Sequence, residues 1–181
     1  MTNTPTLEIL HPLPLLYDAA AHPLPDFDLV DAKSLPPAAH RLLVHTGDMT
    51  SKLEEFFADE MMLRVLQCDH TPDHYRREVV LCCAKSGQPV EYGAIEIELN
   101  SFDETLRAEI VLGHSPLGGL LNRHGIRYRS RPRGFLRVAP DVRLAEMFQL
   151  PAPVSLYGRT NQLLDAQDRV LANIVEVLRP V

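Results

Sequence analysis

The sequence lacks several features that would place it in a definite functional class. It has no excess of basic residues, since 18 Lys and Arg stand against 24 Asp and Glu, for a formal net charge of -6. Nucleic-acid-binding proteins usually carry a basic excess, so this composition disfavours that class, and any anion site must rely on local charge. No apolar run approaches the roughly 20 residues of a membrane helix, and residues 1–10 lack the basic region of a signal peptide.

Cysteine is also scarce, and its pattern disfavours disulfides and metal. The three cysteines are Cys68, Cys82 and Cys83, and an odd number with two adjacent residues is a poor disulfide framework. We therefore expect a reducing compartment and a cytoplasmic protein. Zinc at Cys68, His70 and His74 would need ligands that the spacing does not supply. The sequence also lacks a glycine-rich phosphate loop and a G-x-S-x-G elbow, so we predict neither metal nor cofactor.

The chain does have the composition of one globular domain. Its 181 residues are 45% hydrophobic and 23% charged, which suits a single domain with a sizeable core. Residues 1–35 are rich in proline and are predicted to form an irregular arm, followed by a folded domain over 36–181. Strands grouped into hairpins, with helices between the groups, predict an α+β fold in which helices pack around an antiparallel sheet.

Hydrophobic periodicity and turn residues give the predicted elements. Strands are expected at residues 62–68, 75–83, 90–99, 126–138, 154–164 and 169–178. Helices are expected at residues 38–44, from a capping box at Ser51, at 103–111, from Ser115, and at 141–148.

Two strand positions carry a charge where alternation calls for an apolar side chain. Arg77 shares a strand face with Leu81, and Glu176 shares one with Leu178. Burying either charge is costly unless it is paired, so the two could pair with each other or with a ligand. The guanidinium fork of Arg77 fits a carboxylate, and Glu176 could act as a hydrogen-bond partner or proton donor.

Other charged residues in the strands are predicted to face solvent. Arg76 and Glu78 lie on the opposite face of the strand from Arg77, so we expect them to be exposed. Four further arginines at alternate positions could form a phosphate-binding stripe, but the negative net charge favours a solvated face. They are Arg127, Arg129, Arg131 and Arg133.

The tetrapeptide Ser115-Pro116-Leu117-Gly118 has the pattern of a helix start, with serine as the cap and proline in the first position. Backbone N–H groups in a first turn, including that of Leu117, are unpaired and can bind a carboxylate or phosphate. The alternative is an ordinary cap, bonded to the serine or to water.

Five short motifs, taken in order, resemble the chorismate pyruvate-lyase family over roughly residues 43–180. Asp48-Met49-Thr50 resembles the D-x-M-T of that family, and the strand that starts at Arg77 resembles its arginine-bearing strand. Ser115-Pro116-Leu117-Gly118 resembles its T-P-L-G. Tyr157-Gly158-Arg159 and the closing strand with Glu176 resemble its W-G-R and its final E-L-F-L-P.

The resemblance implies an antiparallel sheet with surrounding helices and a cofactor-free lyase that splits chorismate into 4-hydroxybenzoate and pyruvate. It implies that Arg77 holds the ring carboxylate with help from the backbone of Leu117. It also implies that Glu176 meets the oxygen at the opposite end of the ring and that Met49 covers the ring face. Arg77 and Glu176 would then be the catalytic residues.

Ligand-sensing domains of transcription regulators share this fold and catalyse no reaction, so fold alone does not decide catalysis. The alternative is therefore a non-catalytic domain that binds a small aromatic carboxylate. In both cases the expected partner is a small aromatic or cyclohexadiene carboxylate, and neither nucleic acid nor a membrane.

Overall fold

Strand-forming segments along the whole chain pair into one antiparallel sheet. The computed structural model describes residues 4–181, with side chains from residue 7 onward. Seven strands lie in the order β1-β5-β6-β7-β4-β3-β2. The strands are β1 (Asp26–Val30), β2 (Met61–His70), β3 (His74–Cys83), β4 (Pro89–Glu98), β5 (Arg129–Ala139), β6 (Leu156–Leu164) and β7 (Val170–Leu178). The helices are α1 (Thr4–Ile9), α2 (Leu13–Ala19), α3 (Pro37–Leu43), α4 (Met49–Phe57), α5 (Glu104–Leu112), α6 (Leu117–Arg123) and α7 (Val142–Met147).

Helices cover both faces of the sheet. The residues around α2 and α7 build one apolar cluster on the first face. On the second face, α5 and α6 build one cluster and α3 and α4 build another. The inner strands are therefore buried on both sides, and charges on either face are enclosed. None of the described helices is long and apolar enough to span a membrane.

The prediction that the first 35 residues are irregular was wrong. They contain α1, α2 and the edge strand β1, which pairs antiparallel with β5. Pro12 precedes α2, and Pro14 lies in its first turn. The backbone N–H that proline lacks makes no intrahelical hydrogen bond at these positions, so proline is tolerated there. Leu16 and Tyr17 of α2 are buried against the sheet. Residues 1–3 lie outside the described part of this arm.

The prediction that Arg76 and Glu78 face solvent was also wrong, because α2 and α7 cover that face. Glu78 is fully buried and accepts a hydrogen bond from the Tyr92 hydroxyl. The Nη2 atom of Arg143, on α7, lies 3.0 Å from Glu78 Oε2. Arg76 forms an ion pair with Glu96 of β4. Alternation correctly separated the two faces, but it does not report that the second face is also covered. By contrast, the four alternating arginines of residues 127–133 are exposed, as predicted.

Two helices begin slightly away from the predicted residues. Helix α4 begins at Met49, because Asp48 caps it by accepting a hydrogen bond from the Ser51 N–H at 2.8 Å. The predicted capping box at Ser51 therefore lies inside the helix. Helix α6 begins at Leu117, with Pro116 at the cap position and no side-chain cap. Both helix starts lie over the same part of the sheet, and a cavity lies between them and the strands.

Candidate functional site

A cavity of about 600 Å³, including its mouth, lies on the second face of the sheet. Strands β3, β4, β6 and β7 form its floor, and the starts of α4 and α6 contribute to its wall. The four residues that the sequence singled out all line this one cavity: Met49, Arg77, Leu117 and Glu176.

Arg77 stands at one end of the cavity without a carboxylate partner in the described part of the chain. It is 2% exposed, and its Nη2 donates to the Ser115 carbonyl at 3.0 Å. Its Nε and Nη1 atoms are buried with no hydrogen-bond partner among residues 7–181. Burial lowers the pKa of the Arg77 guanidinium, which reflects the cost of holding this charge away from water. An anion bound in the cavity would supply both the missing charge and the missing acceptors.

The chain turns tightly beside Arg77 at Gly113, which ends α5. Gly113 has a φ of +72°, a conformation that glycine adopts without strain. A Cβ atom there would lie 3.0 Å from the Tyr75 hydroxyl and 3.7 Å from Arg77 Nη1. Glycine therefore lets the loop between α5 and α6 close over the guanidinium.

An ion pair between Arg159 and Glu176 occupies the other end. The two residues face each other across β6 and β7, and Arg159 Nε donates to Glu176 Oε2. Arg159 Nη1 also donates to the carbonyls of Leu43 and His45, at 3.0 and 3.2 Å. The alternative in which Arg77 pairs with Glu176 is therefore wrong. The strand registers put the Cα atoms of these two residues roughly 12 Å apart, two strands and two residues away from each other.

A second buried carboxyl, that of Glu91, lies beside this ion pair. Glu91 is 4% exposed, lines the cavity and is a diagonal neighbour of Glu176 across β4 and β7. Burial and the nearby Glu176 carboxylate raise the pKa of Glu91 well above its usual value, although Arg159 acts in the opposite direction. Two carboxyls thus share one guanidinium, and burial beside a second carboxylate favours the protonated form of Glu91.

His45 adds no positive charge to this end. Burial and the Arg159 guanidinium lower the pKa of His45 to about 4, so its imidazole is neutral at pH 7. The only cation beside the two carboxyls, within the described residues, is Arg159.

Gly93 keeps the centre of the cavity floor open. It lies on β4 between Val79 of β3 and Glu176 of β7. A Cβ atom at this position would lie 3.1 Å from Val79 Cγ2 and 3.5 Å from Glu91 Oε1. The absence of a side chain here leaves space between the Arg77 end and the carboxyl end.

Gly158 allows β6 to approach β7 next to the ion pair, and this leads to a test. A Cβ atom at Gly158 would lie 2.2 Å from the backbone oxygen of Glu176, which no side-chain rotation can relieve. We predict that Gly158→Ala lowers the free energy of unfolding by about 1–3 kcal/mol, the scale of overpacking. Urea unfolding measures this change. Gly119→Ala is the control, because its Cβ would meet only Arg123 Nη1 at 3.6 Å. If the two variants are equally stable, the close approach at Gly158 is not a constraint.

Sequence reasoning missed the roles of Arg159 and Glu91, although the signal was present. Arg159 shares a strand face with Leu163, and Glu91 shares one with Ile95. The alternation argument that identified Arg77 applies to both residues. Arg159 was noticed only as part of a motif, and Glu91 was not considered.

The histidine and cysteine pattern does not form the zinc site that was considered. Cys68 and His70 are exposed at the end of β2. The group of side chains that could hold an ion in the described region is instead His74, Glu96 and Glu98, whose ligand atoms lie within 4.8 Å of one another. Glu96 in that group already binds Arg76 and His11.

No protein-family model and no curated protein matches the sequence. Solved structures match the fold. PhnF from Mycobacterium smegmatis aligns with a TM-score of 0.60 at 16% identity, over 77% of this chain and 66% of that chain. The effector domain of PhnF gives a TM-score of 0.55 at 15% identity, over 77% of this chain and 92% of that chain. A GntR-family transcriptional regulator from Bacillus cereus gives 0.50 at 12% identity, over 67% and 93% of the two chains.

At these identities the similarity is one of fold. The alignment spans about two thirds of the whole PhnF chain and almost all of its effector domain, at 66% and 92%. The prediction of an α+β fold with an antiparallel sheet and packed helices is confirmed. This protein has the fold of the PhnF effector domain.

Proposed function

We propose that this protein binds a small ring carboxylate, with the carboxylate on Arg77 and the opposite end of the ring at Glu176. The observation that carries this proposal is the burial of Arg77 with two unpartnered N–H-bearing nitrogens and no acidic partner among the described residues. A planar guanidinium fork fits a carboxylate through two parallel hydrogen bonds. The backbone N–H of Leu117, at the start of α6, is the proposed second donor to the carboxylate.

The shape of the cavity supports a flat ring between these ends. Leu81, Ile95 and Ile174 make its floor apolar, and Gly93 leaves the centre open. Met49 is buried at the start of α4 and is proposed to cover the ring face. The separation of roughly 12 Å between the Cα atoms of Arg77 and Glu176 suits one six-membered ring with polar groups at both ends. The fold shared with the PhnF effector domain supports ligand binding as the basic activity.

Cleavage of chorismate to 4-hydroxybenzoate and pyruvate is a second candidate function. In this reaction the bond between the ring and the ether oxygen breaks, and the neighbouring hydroxyl-bearing carbon loses its hydrogen. The ring becomes aromatic, and the released enolpyruvate becomes pyruvate. The driving force lies in the substrate, so the protein must mainly orient it, exclude water and stabilise developing charge.

The observation that favours this reaction is the pair of carboxyls opposite Arg77: the pKa of Glu91 is raised, and Glu176 is ion-paired with Arg159. Such a pair can give and take protons near the breaking bond. Arg77 and Glu176 are the proposed catalytic residues, and the reaction proposed here needs no metal or cofactor.

One experiment tests both functions. Purified protein is titrated calorimetrically with 4-hydroxybenzoate, and a second sample is incubated with chorismate and excess chelator. We expect saturable binding of 4-hydroxybenzoate, and for the lyase we expect chromatography to show pyruvate and 4-hydroxybenzoate in equal amounts. Binding without product release would leave the non-catalytic function. Failure to bind 4-hydroxybenzoate would contradict the proposed site.

A further inference from the structure

Glu91 is a buried acid that points into the cavity and that the protein itself does not satisfy. It is 4% exposed, and its Oε1 lies 3.5 Å from the position of a Cβ atom at Gly93, over the cavity floor. No side-chain hydrogen bond or ion pair within residues 7–181 engages it, whereas Glu78 and Glu176, also buried, both pair with an arginine. This carboxyl lines the cavity, so a ligand bound there can supply the hydrogen-bond partner that the protein does not.

The charges around Glu91 decide which kind of partner it can take. Arg159 directs its Nε to Glu176 and its Nη1 to two backbone carbonyls, and its buried Nη2 has no hydrogen-bond partner in the described residues, Glu91 included. Arg77 pairs in register with Ile95, four residues along β4 from Glu91, and lies at the far end of the cavity. One guanidinium thus serves two carboxyls, which favours the protonated form of Glu91. In that form Glu91 can donate a hydrogen bond, and Glu176, which already accepts one from Arg159, can accept one from a ligand.

We infer that Glu91 and Glu176 together recognise a hydroxyl group on the ring end opposite the carboxylate. Glu91 donates a hydrogen bond to the hydroxyl oxygen, and Glu176 accepts one from the hydroxyl hydrogen. A hydroxyl satisfies both groups at once. A methyl group of similar size satisfies neither and leaves the Glu91 proton buried without an acceptor. Glu91 is thus a specificity-determining residue, and this inference rests on the proposed binding of a ring carboxylate.

The test compares two ligands that differ only at that position, 4-hydroxybenzoate and 4-methylbenzoate. Dissociation constants are measured by calorimetry at neutral pH for the wild type, Glu91→Gln and Glu91→Leu, with thermal melts as a check of folding. We expect the wild type to prefer the hydroxyl acid by about tenfold or more, the scale of one satisfied hydrogen bond. Glu91→Gln is neutral and keeps an N–H donor, so it should retain most of that preference. Glu91→Leu should lose it, because 4-hydroxybenzoate loses a hydrogen-bond partner and binds more weakly, whereas 4-methylbenzoate no longer buries an unpaired carboxyl and binds at least as tightly.

Three results would overturn the inference. The first is a wild type that binds the two acids equally, a result that does not depend on whether any variant folds. The second is a Glu91→Leu protein whose affinities for both acids change by the same factor, because Glu91 would then only shape the cavity. The third is a Glu91→Gln protein that loses the preference, because a negative charge would then be required. A wild type that binds neither acid is a separate result, which contradicts the proposed function and the inference with it.

Discussion

Arg77→Met is expected to weaken the binding of 4-hydroxybenzoate by about 2–5 kcal/mol, the scale for truncating one partner of a buried charge pair. The reason is that Arg77 is the buried cation left free for a ligand anion, with Nε and Nη1 unpartnered in the described structure. Arg77→Lys should also bind poorly, because an ammonium group lacks the planar fork. Calorimetric titration of each variant measures the change.

The stability of the same variant provides an internal check. Because Arg77 has no acidic partner in the described residues, Arg77→Met leaves no carboxylate stranded. It removes the hydrogen bond to the Ser115 carbonyl and the contact of the guanidinium with the Tyr75 ring, 5.8 Å from the ring centroid. We expect the free energy of unfolding to fall by no more than about 1 kcal/mol. Arg131→Met, at an exposed arginine outside the cavity, is the matched control and should leave affinity unchanged. A folded Arg77→Met protein with wild-type affinity would remove Arg77 from the site.

Arg77→Met should mainly lower affinity, whereas Arg159→Met is expected mainly to lower stability, with a loss of about 3–5 kcal/mol in the free energy of unfolding. Arg159 is fully buried and pairs with Glu176, so its removal strands a carboxylate beside a second carboxyl, that of Glu91. The double variant Arg159→Met/Glu176→Gln removes the stranded charge and should recover much of the loss. Urea unfolding of the wild type, the single variant and the double variant measures this. If the Arg159→Met protein is as stable as the Arg77→Met protein, the claim that Arg159 neutralises a buried carboxylate and Arg77 does not is wrong.

Glu176→Gln tests the same group of charges, Arg159, Glu176 and Glu91, by removing a carboxylate instead of the arginine. Arg159 would lose its partner, but Glu91 lies next to it and can ionise to replace the missing charge. The single variant should therefore fold and still bind 4-hydroxybenzoate, and if the protein is a lyase it should lose most turnover. Glu91→Gln/Glu176→Gln removes both carboxyls and should be about as unstable as Arg159→Met. Equal stability of the single and double variants would show that Glu91 does not act as the reserve counter-charge.

The sequence by itself determined most of the helices and strands after residue 35 and the strand face on which each side chain lies. Apolar composition indicated β3 and β7, clean alternation indicated β4, and the two-residue repeat of a strand assigned their side chains to two faces. It also showed that Arg77 and Glu176 point inward, because a charge on an apolar face is visible within a single strand. The grouping of strands into hairpins gave the α+β class, which the structure confirms.

Only the tertiary structure decided which charges meet. Strand β7 lies between β4 and β6 and is not adjacent to β3, so Glu176 faces Arg159 and leaves Arg77 free. Strand order depends on contacts far apart in the chain, which a pattern within one strand does not contain. The same holds for Glu91, whose pKa is raised in part by a neighbour 85 residues later in the chain. It also holds for Glu78, which is covered by α2 and α7, two helices that are distant from it in the sequence. The sequence thus located the charged residues, and the order of the strands assigned their partners.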